Sequence, residues 1–217
     1  SRSQLASFPS PLQPQLTLLP EGVDLERIKP DRQARLSLPE QGLELKAGQP
    51  LVTLVSRNLE PLRGLRQALR AWPLVRQQRP EAQLLLVGQH GQGYGVEPAQ
   101  GESHLKDALD GIDAAGISVL NWLPHPQMLQ LLRCSACHLA LSYPYTLSWS
   151  VLEAMACGAP LISNIGSPIA ADLKHDWDAL LVPFNDVNAL AQATVALLQE
   201  PERAQKLGEH ARETMER

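Results

Sequence analysis

Short apolar runs separated by amphipathic stretches dominate residues 51 to 200 of this chain. Leu51 to Val55, Leu84 to Val87, Ile117 to Leu120, His138 to Leu141, Leu161-Ile162 and Ala179 to Val182 have the length and apolarity of strands buried on both faces. Between them, Gly64 opens a helical stretch with Leu65, Ala68, Leu69 and Trp72 at helical spacing. Pro73 is expected to break or kink it, since proline removes a donor and crowds the preceding turn. A weaker helix is expected near Glu102 to Ala114, a short one at Gln127 to Arg133, and another around Ser150 to Cys157. Gly158 and Pro160 end that last one. Asp186 to Glu200 carries Val187, Leu190, Ala191, Thr194 and Leu198 on one stripe, and Pro201 starts a final helix. Ser56 to Arg63 reads as a polar loop and Gly88 to Gly95 as a glycine-rich one. Alternation of this kind predicts an α/β fold, with a parallel sheet of roughly six strands from residue 51 to about 185 and helices on both faces.

The first 50 residues differ. Seven prolines, at 9, 11, 14, 20, 30, 39 and 50, interrupt them too often for long elements. Only Leu16 to Leu19 reads as a short strand, so at most one strand and a short helix or two are expected there. The organisation is therefore a mostly irregular leading segment, 1–50, a main domain, 51–200, and a C-terminal helix, 201–217.

Composition narrows the function. Of 217 residues 44% are hydrophobic and 19% charged, with a net charge of −4, which disfavours a nucleic-acid binder. No apolar run approaches the ~20 residues of a membrane span, and no signal-peptide pattern is present. Three cysteines cannot all pair, which favours a reducing, cytoplasmic location. The chain opens at Ser1 and is expected to be a piece of a longer protein.

Four constellations carry candidate chemistry. Cys134-Ser135-Ala136-Cys137-His138 spells a haem-attachment motif, but it lies where a helix runs into a buried strand, and small apolar filling explains it. Gly88, Gly91, Gly93 and Gly95 follow a strand without the dinucleotide spacing, so a nicotinamide dehydrogenase is disfavoured. Arg57 and Arg63 flank a strand-to-helix turn at the carboxyl edge of the sheet, where forked guanidinium donors suit phosphate; the alternative is a pair of solvated loop charges. Finally, a helix beginning near Ser148 and Trp149 directly after a strand offers unpaired amides to an anion. Within it, Ser150-x-x-Glu153 has the spacing of a capping box, and spacing alone favours that role for Glu153.

With these residues in place, the chain resembles the carboxy-terminal domain of a retaining family 4 glycosyltransferase. That resemblance implies a Rossmann-like doubly wound sheet forming one half of a GT-B fold. It runs from about Leu16 to the end: Leu19 to Asp24 resembles the interdomain N-G-V-D segment, and Glu153-Ala-Met-Ala-Cys-Gly-Ala-Pro160 the second half of an E-x7-E motif. It implies that Arg57 and Arg63 hold a donor pyrophosphate, that Trp122 lies near the base, and that Glu153 accepts from the ribose hydroxyls instead of capping its helix. The first motif glutamate is replaced by Tyr145, a position that in the family contacts the donor sugar, and the spelling Tyr-Pro-x-x-Leu-Ser-Trp-Ser resembles a subgroup of the family. The implied donor-binding set is Arg57, Arg63, Trp122, Tyr145, Ser148, Trp149 and Glu153, with no metal and no cofactor beyond the nucleotide diphosphate sugar. The acceptor domain, and any peripheral membrane contact through it, would belong to the half preceding this sequence. Alone, the 217 residues are expected not to transfer sugar. A non-catalytic nucleotide-binding or regulatory domain of the same fold is the alternative, and Tyr145 is the feature that favours it.

Overall fold

The computed structural model describes residues 1–91, 93, 103–144 and 146–216. Six parallel strands form the central sheet: β3 (Leu51–Asn58), β4 (Gln83–Gln89), β5 (Ile117–Leu120), β6 (Cys137–Ala140), β7 (Leu161–Asn164) and β8 (Leu180–Val182). Their order is β5-β4-β3-β6-β7-β8, so the winding reverses between β3 and β6. The predicted parallel sheet of six strands is therefore present. β3 runs three residues beyond its apolar stretch, because Asn58 pairs with Gln89 after a register slip that begins at Val55. Ser56 to Asn58 is thus strand, not loop.

Alternate residues of β3 face opposite layers. Val52 and Leu54 pack with Leu69 and Trp72 of α2 (Leu65–Gln78) and with Leu190 and Val195 of α6 (Val187–Gln199). The other face is covered by α4 (His125–Cys134) and α5 (Trp149–Ala156). Pro73 lies inside α2 without ending it. An internal proline costs about 3 kcal/mol through its lost hydrogen bond and the clash of its ring, and the buried Leu69, Trp72 and Val75 on either side offset it. The helix expected over Glu102 to Ala114 is shorter, α3 (His104–Leu109), and its first expected residue lies outside the described ones.

The leading segment holds more structure than its prolines suggest. After a short α1 (Arg2–Ala6), β1 (Arg35–Leu38) and β2 (Leu43–Lys46) pair antiparallel as a hairpin. Leu16 to Leu19 forms no strand. The hairpin's alternation was visible in Arg35-Leu36-Ser37-Leu38 and Leu43-Glu44-Leu45-Lys46, but Pro39 between them masked it; that proline starts the one-turn 3-10 helix of the connection, where a missing N–H costs nothing. Leu36, Leu38 and Leu45 pack on Leu131 of α4. The last helix, α7 (Pro201–Met215), ties this segment down. Arg212 donates to the carbonyls of Leu25 and Ile28 in the leading segment and of Ala156 at the end of α5. Among the described residues no helix is long and apolar enough to cross a membrane.

The cysteine-histidine motif is core. Cys134 ends α4, Cys137 opens β6, and both thiols are free and buried; burial pushes the Cys134 thiol up to about 11 and raises Cys137 further. His138 is buried beside them, with Nδ1 2.9 Å from Thr53 Oγ1, which also meets Ser135 Oγ at 2.8 Å. Desolvation lowers its pKa to about 4. Between that value and the unfolded ~6.5, the unfolded chain binds the extra proton, so stability falls as pH drops through this window and is unaffected above it. We expect a loss of about 2 kcal/mol between pH 7.5 and 5 from urea midpoints, and a much flatter profile for His138→Leu. An unchanged profile in the variant would refute the assignment.

Candidate functional site

The two loops leaving the carboxyl ends of β3 and β6 meet where the winding reverses, the usual crevice of an open α/β sheet. The β3 loop makes a single 3-10 turn, Pro61–Arg63, and then enters α2 through Gly64 at φ 73°. A Cβ built on Gly64 would lie 2.4 Å from Leu141 Cβ, so glycine is what lets this loop press against the end of β6. The loops are joined by the Tyr143 amide, which donates to the Leu62 carbonyl at 2.8 Å.

Arg63 is half-buried at this junction. Its Nη1 donates to Ser142 Oγ (3.0 Å) and the Thr146 carbonyl (3.2 Å), and Nη2 reaches Thr146 Oγ1 (3.4 Å). It is not a solvated loop charge. Ser142 is fixed in turn by Asn164 at the end of β7, whose Oδ1 accepts from the Ser142 amide at 2.8 Å. Arg63, Ser142, Thr146, Ser148 and Ser150 line one recess. Arg57, on the last turn of pleat in β3, is exposed and outside that lining.

The amide-bearing helix is built as the sequence suggested, but starts differently. Ser148 is the N-cap of α5 and its side chain caps nothing; its Oγ pairs with Ser150 Oγ at 2.7 Å. Ser150 Oγ donates to the Val55 carbonyl at 3.1 Å, anchoring the helix start to β3 at its register slip. Among the described residues no side chain therefore accepts from the first-turn amides, of which that of Val151 donates to the Ser148 carbonyl at 3.2 Å. Ser150 lies inside the helix, so the capping-box reading of Ser150 and Glu153 is wrong by two residues. The Glu153 carboxylate instead meets His125, Oε1 to Nε2 at 2.6 Å. Trp122, after β5, and Trp149, the first residue of α5, are both well exposed at this edge, at 68% and 64%. Tyr145 lies outside the described residues, as do Gln92, Tyr94 and Gly95 of the glycine-rich loop, whose Gly88 is still strand β4.

Sequence reasoning missed His125, Ser142, Thr146 and Asn164. His125 follows Pro124 and begins α4 two residues before the expected start, and no apolar periodicity marks that first turn. The others are small polar residues, Asn164 at the end of β7 and Ser142 and Thr146 in the loop after β6, which only the fold brings to Arg63.

Comparisons with known proteins bear on the family and the fold. The family described as Glycosyl transferases group 1 matches residues 49–200. The GDP-mannose-dependent alpha-(1-6)-phosphatidylinositol monomannoside mannosyltransferase of Mycolicibacterium smegmatis is 30% identical, over 96% of this chain and 54% of its own length. The chain spans about half the length of the curated relatives it matches. Among solved structures, sucrose-phosphate synthase from Thermosynechococcus elongatus superposes with a TM-score of 0.72 at 26% identity, covering 92% of this chain and 47% of that one. The C-terminal domain of a glycosyl transferase group 1 family protein from Francisella tularensis superposes at 0.70 with 14% identity, covering 89% of this chain and 96% of that one. The sheet and its helices are the Rossmann-like domain of a GT-B fold, and the chain belongs to the glycosyl transferases group 1 family.

Proposed function

We propose that this chain is the donor-binding half of a glycosyltransferase that moves a sugar from a nucleotide diphosphate sugar to an acceptor with retention. The observation that carries the reading is the convergence of Arg63, the serine-lined recess and the uncapped start of α5 at the reversal point of the sheet. Forked N–H groups and helix amides there suit a diphosphate. Charge builds on the departing phosphate as the anomeric carbon loses it, and donors fixed in place stabilise that charge without rearranging. Arginine and amides supply this stabilisation, so no metal is part of the proposal. Glu153, one turn deeper in α5, would take the ribose hydroxyls, since a carboxylate against a diphosphate would repel it. The acceptor site is assigned to the part of the longer protein that these 217 residues do not contain.

A thermal-shift and calorimetry panel of GDP, UDP and ADP tests this. The Mycolicibacterium relative is named for GDP-mannose, which makes GDP the first arm. Binding of at least one nucleoside diphosphate, undiminished by EDTA, is expected; binding of none would overturn the reading. Glu153→Gln should weaken that nucleotide about tenfold, the scale of a hydrogen bond to a charged group, and leave inorganic pyrophosphate within twofold. If Glu153→Gln changes neither, its ribose role is wrong.

A further inference from the structure

Glu153 is withdrawn from solvent, its side chain 13% exposed, yet the one hydrogen-bond partner of its carboxylate among the described residues comes from another element. His125 is the first residue of α4, which follows β5, while Glu153 lies in α5, which follows β6. Both helices therefore start at the carboxyl edge, and the imidazole spans the space between them. An ionised carboxylate can only accept, so Nε2 carries the hydrogen and Oε1 receives it. That bond occupies one carboxylate oxygen and leaves Oε2 for a ligand.

We propose that His125 is a positioning residue for nucleoside recognition: by holding Oε1 it fixes the Glu153 rotamer so that Oε2 is presented to the vicinal diol of a ribose. This rests on the ribose role of Glu153 proposed above. A carboxylate at the fifth position of a helix has three rotatable bonds to order when it grips a diol. A partner that orders them beforehand removes that cost from binding, as outer-shell hydrogen bonds do for metal ligands. The competing explanation is a clip that merely joins α4 to α5. The imidazole is 59% exposed, so solvent screens its side of the bond and reduces what the bond adds to stability, which weighs against the clip.

A double-mutant cycle distinguishes them, using calorimetry of GDP and UDP and of inorganic pyrophosphate on the 217-residue chain. His125→Ala should weaken the nucleotide that binds about fivefold and leave pyrophosphate within twofold. In the Glu153→Gln background the same change should have no further effect. His125→Gln, which keeps an N–H donor, should stay within twofold of the parent. His125→Asn, whose amide is too short to reach, replaces the alanine variant should that one fail to fold. Equal weakening by His125→Ala in both backgrounds would mean that the imidazole touches the nucleotide itself, and equal weakening of pyrophosphate would mean a structural clip; either overturns the proposal. If Glu153→Gln weakens the nucleotide while His125→Ala does not, only the positioning role fails. If Glu153→Gln has no effect, the ribose reading fails and this inference falls with it.

Discussion

In a Gly64→Ala variant, the urea midpoint should fall by the equivalent of about 3–4 kcal/mol. Two costs combine at this position. The left-handed backbone, φ 73°, costs a residue with a Cβ about 1–2 kcal/mol. The new methyl would also lie 2.4 Å from Leu141 Cβ, which is attached directly to the backbone and cannot swing aside, so the β3 loop must lift from β6. Such overpacking costs about 1–3 kcal/mol more. Gly42 supplies the control, since it sits at φ 65° in the β1–β2 turn with nothing within 4 Å of a built Cβ. Gly42→Ala should show the backbone cost alone, about 1 kcal/mol. Equal losses at the two sites would refute the close approach, and with it the tight junction on which the recess depends.

Arg63→Ala should weaken both nucleoside diphosphate and inorganic pyrophosphate by about 1.5–3 kcal/mol, or 10- to 150-fold, by calorimetry. The guanidinium is already oriented by Ser142 and Thr146, so little ordering remains to be done when an anion arrives. Arg63→Lys keeps the charge without the planar fork and should fall between the two. Arg57→Ala should lose less, because an exposed charge is screened by solvent and salt. Undiminished pyrophosphate affinity in Arg63→Ala would remove the diphosphate from this recess. A stability loss with no binding change would reduce Arg63 to a brace between two loops.

The sheet was legible because buried parallel strands leave an unbroken apolar signature, as in Leu84 to Val87, and because all but β7 are followed by a helix. What escaped detection had weaker local signals. Ser56 to Asn58 is polar and becomes strand only through pairing with β4. The hairpin alternates correctly on both arms, yet a proline at its turn resembles the many that do mark irregular chain. At the site, Arg63 could be placed from its strand-turn-helix context alone. The partner of Glu153 could not, since a capping box and an inter-helix bond share the same local spelling; a shift of two residues in the helix start separates them.

Helix α5 is gripped at both ends: Ser150 Oγ holds its first turn to Val55, and Arg212 holds the Ala156 carbonyl at its last. Eight residues between two such clamps make a strut of about 12 Å that resists sliding along its axis and fraying at either end. On the proposed donor-binding reading, closing around the nucleotide is therefore expected from the chain facing this strut. The helix itself would serve as the fixed jaw of the vice, and its amides would stand in the same place before and after the leaving group departs.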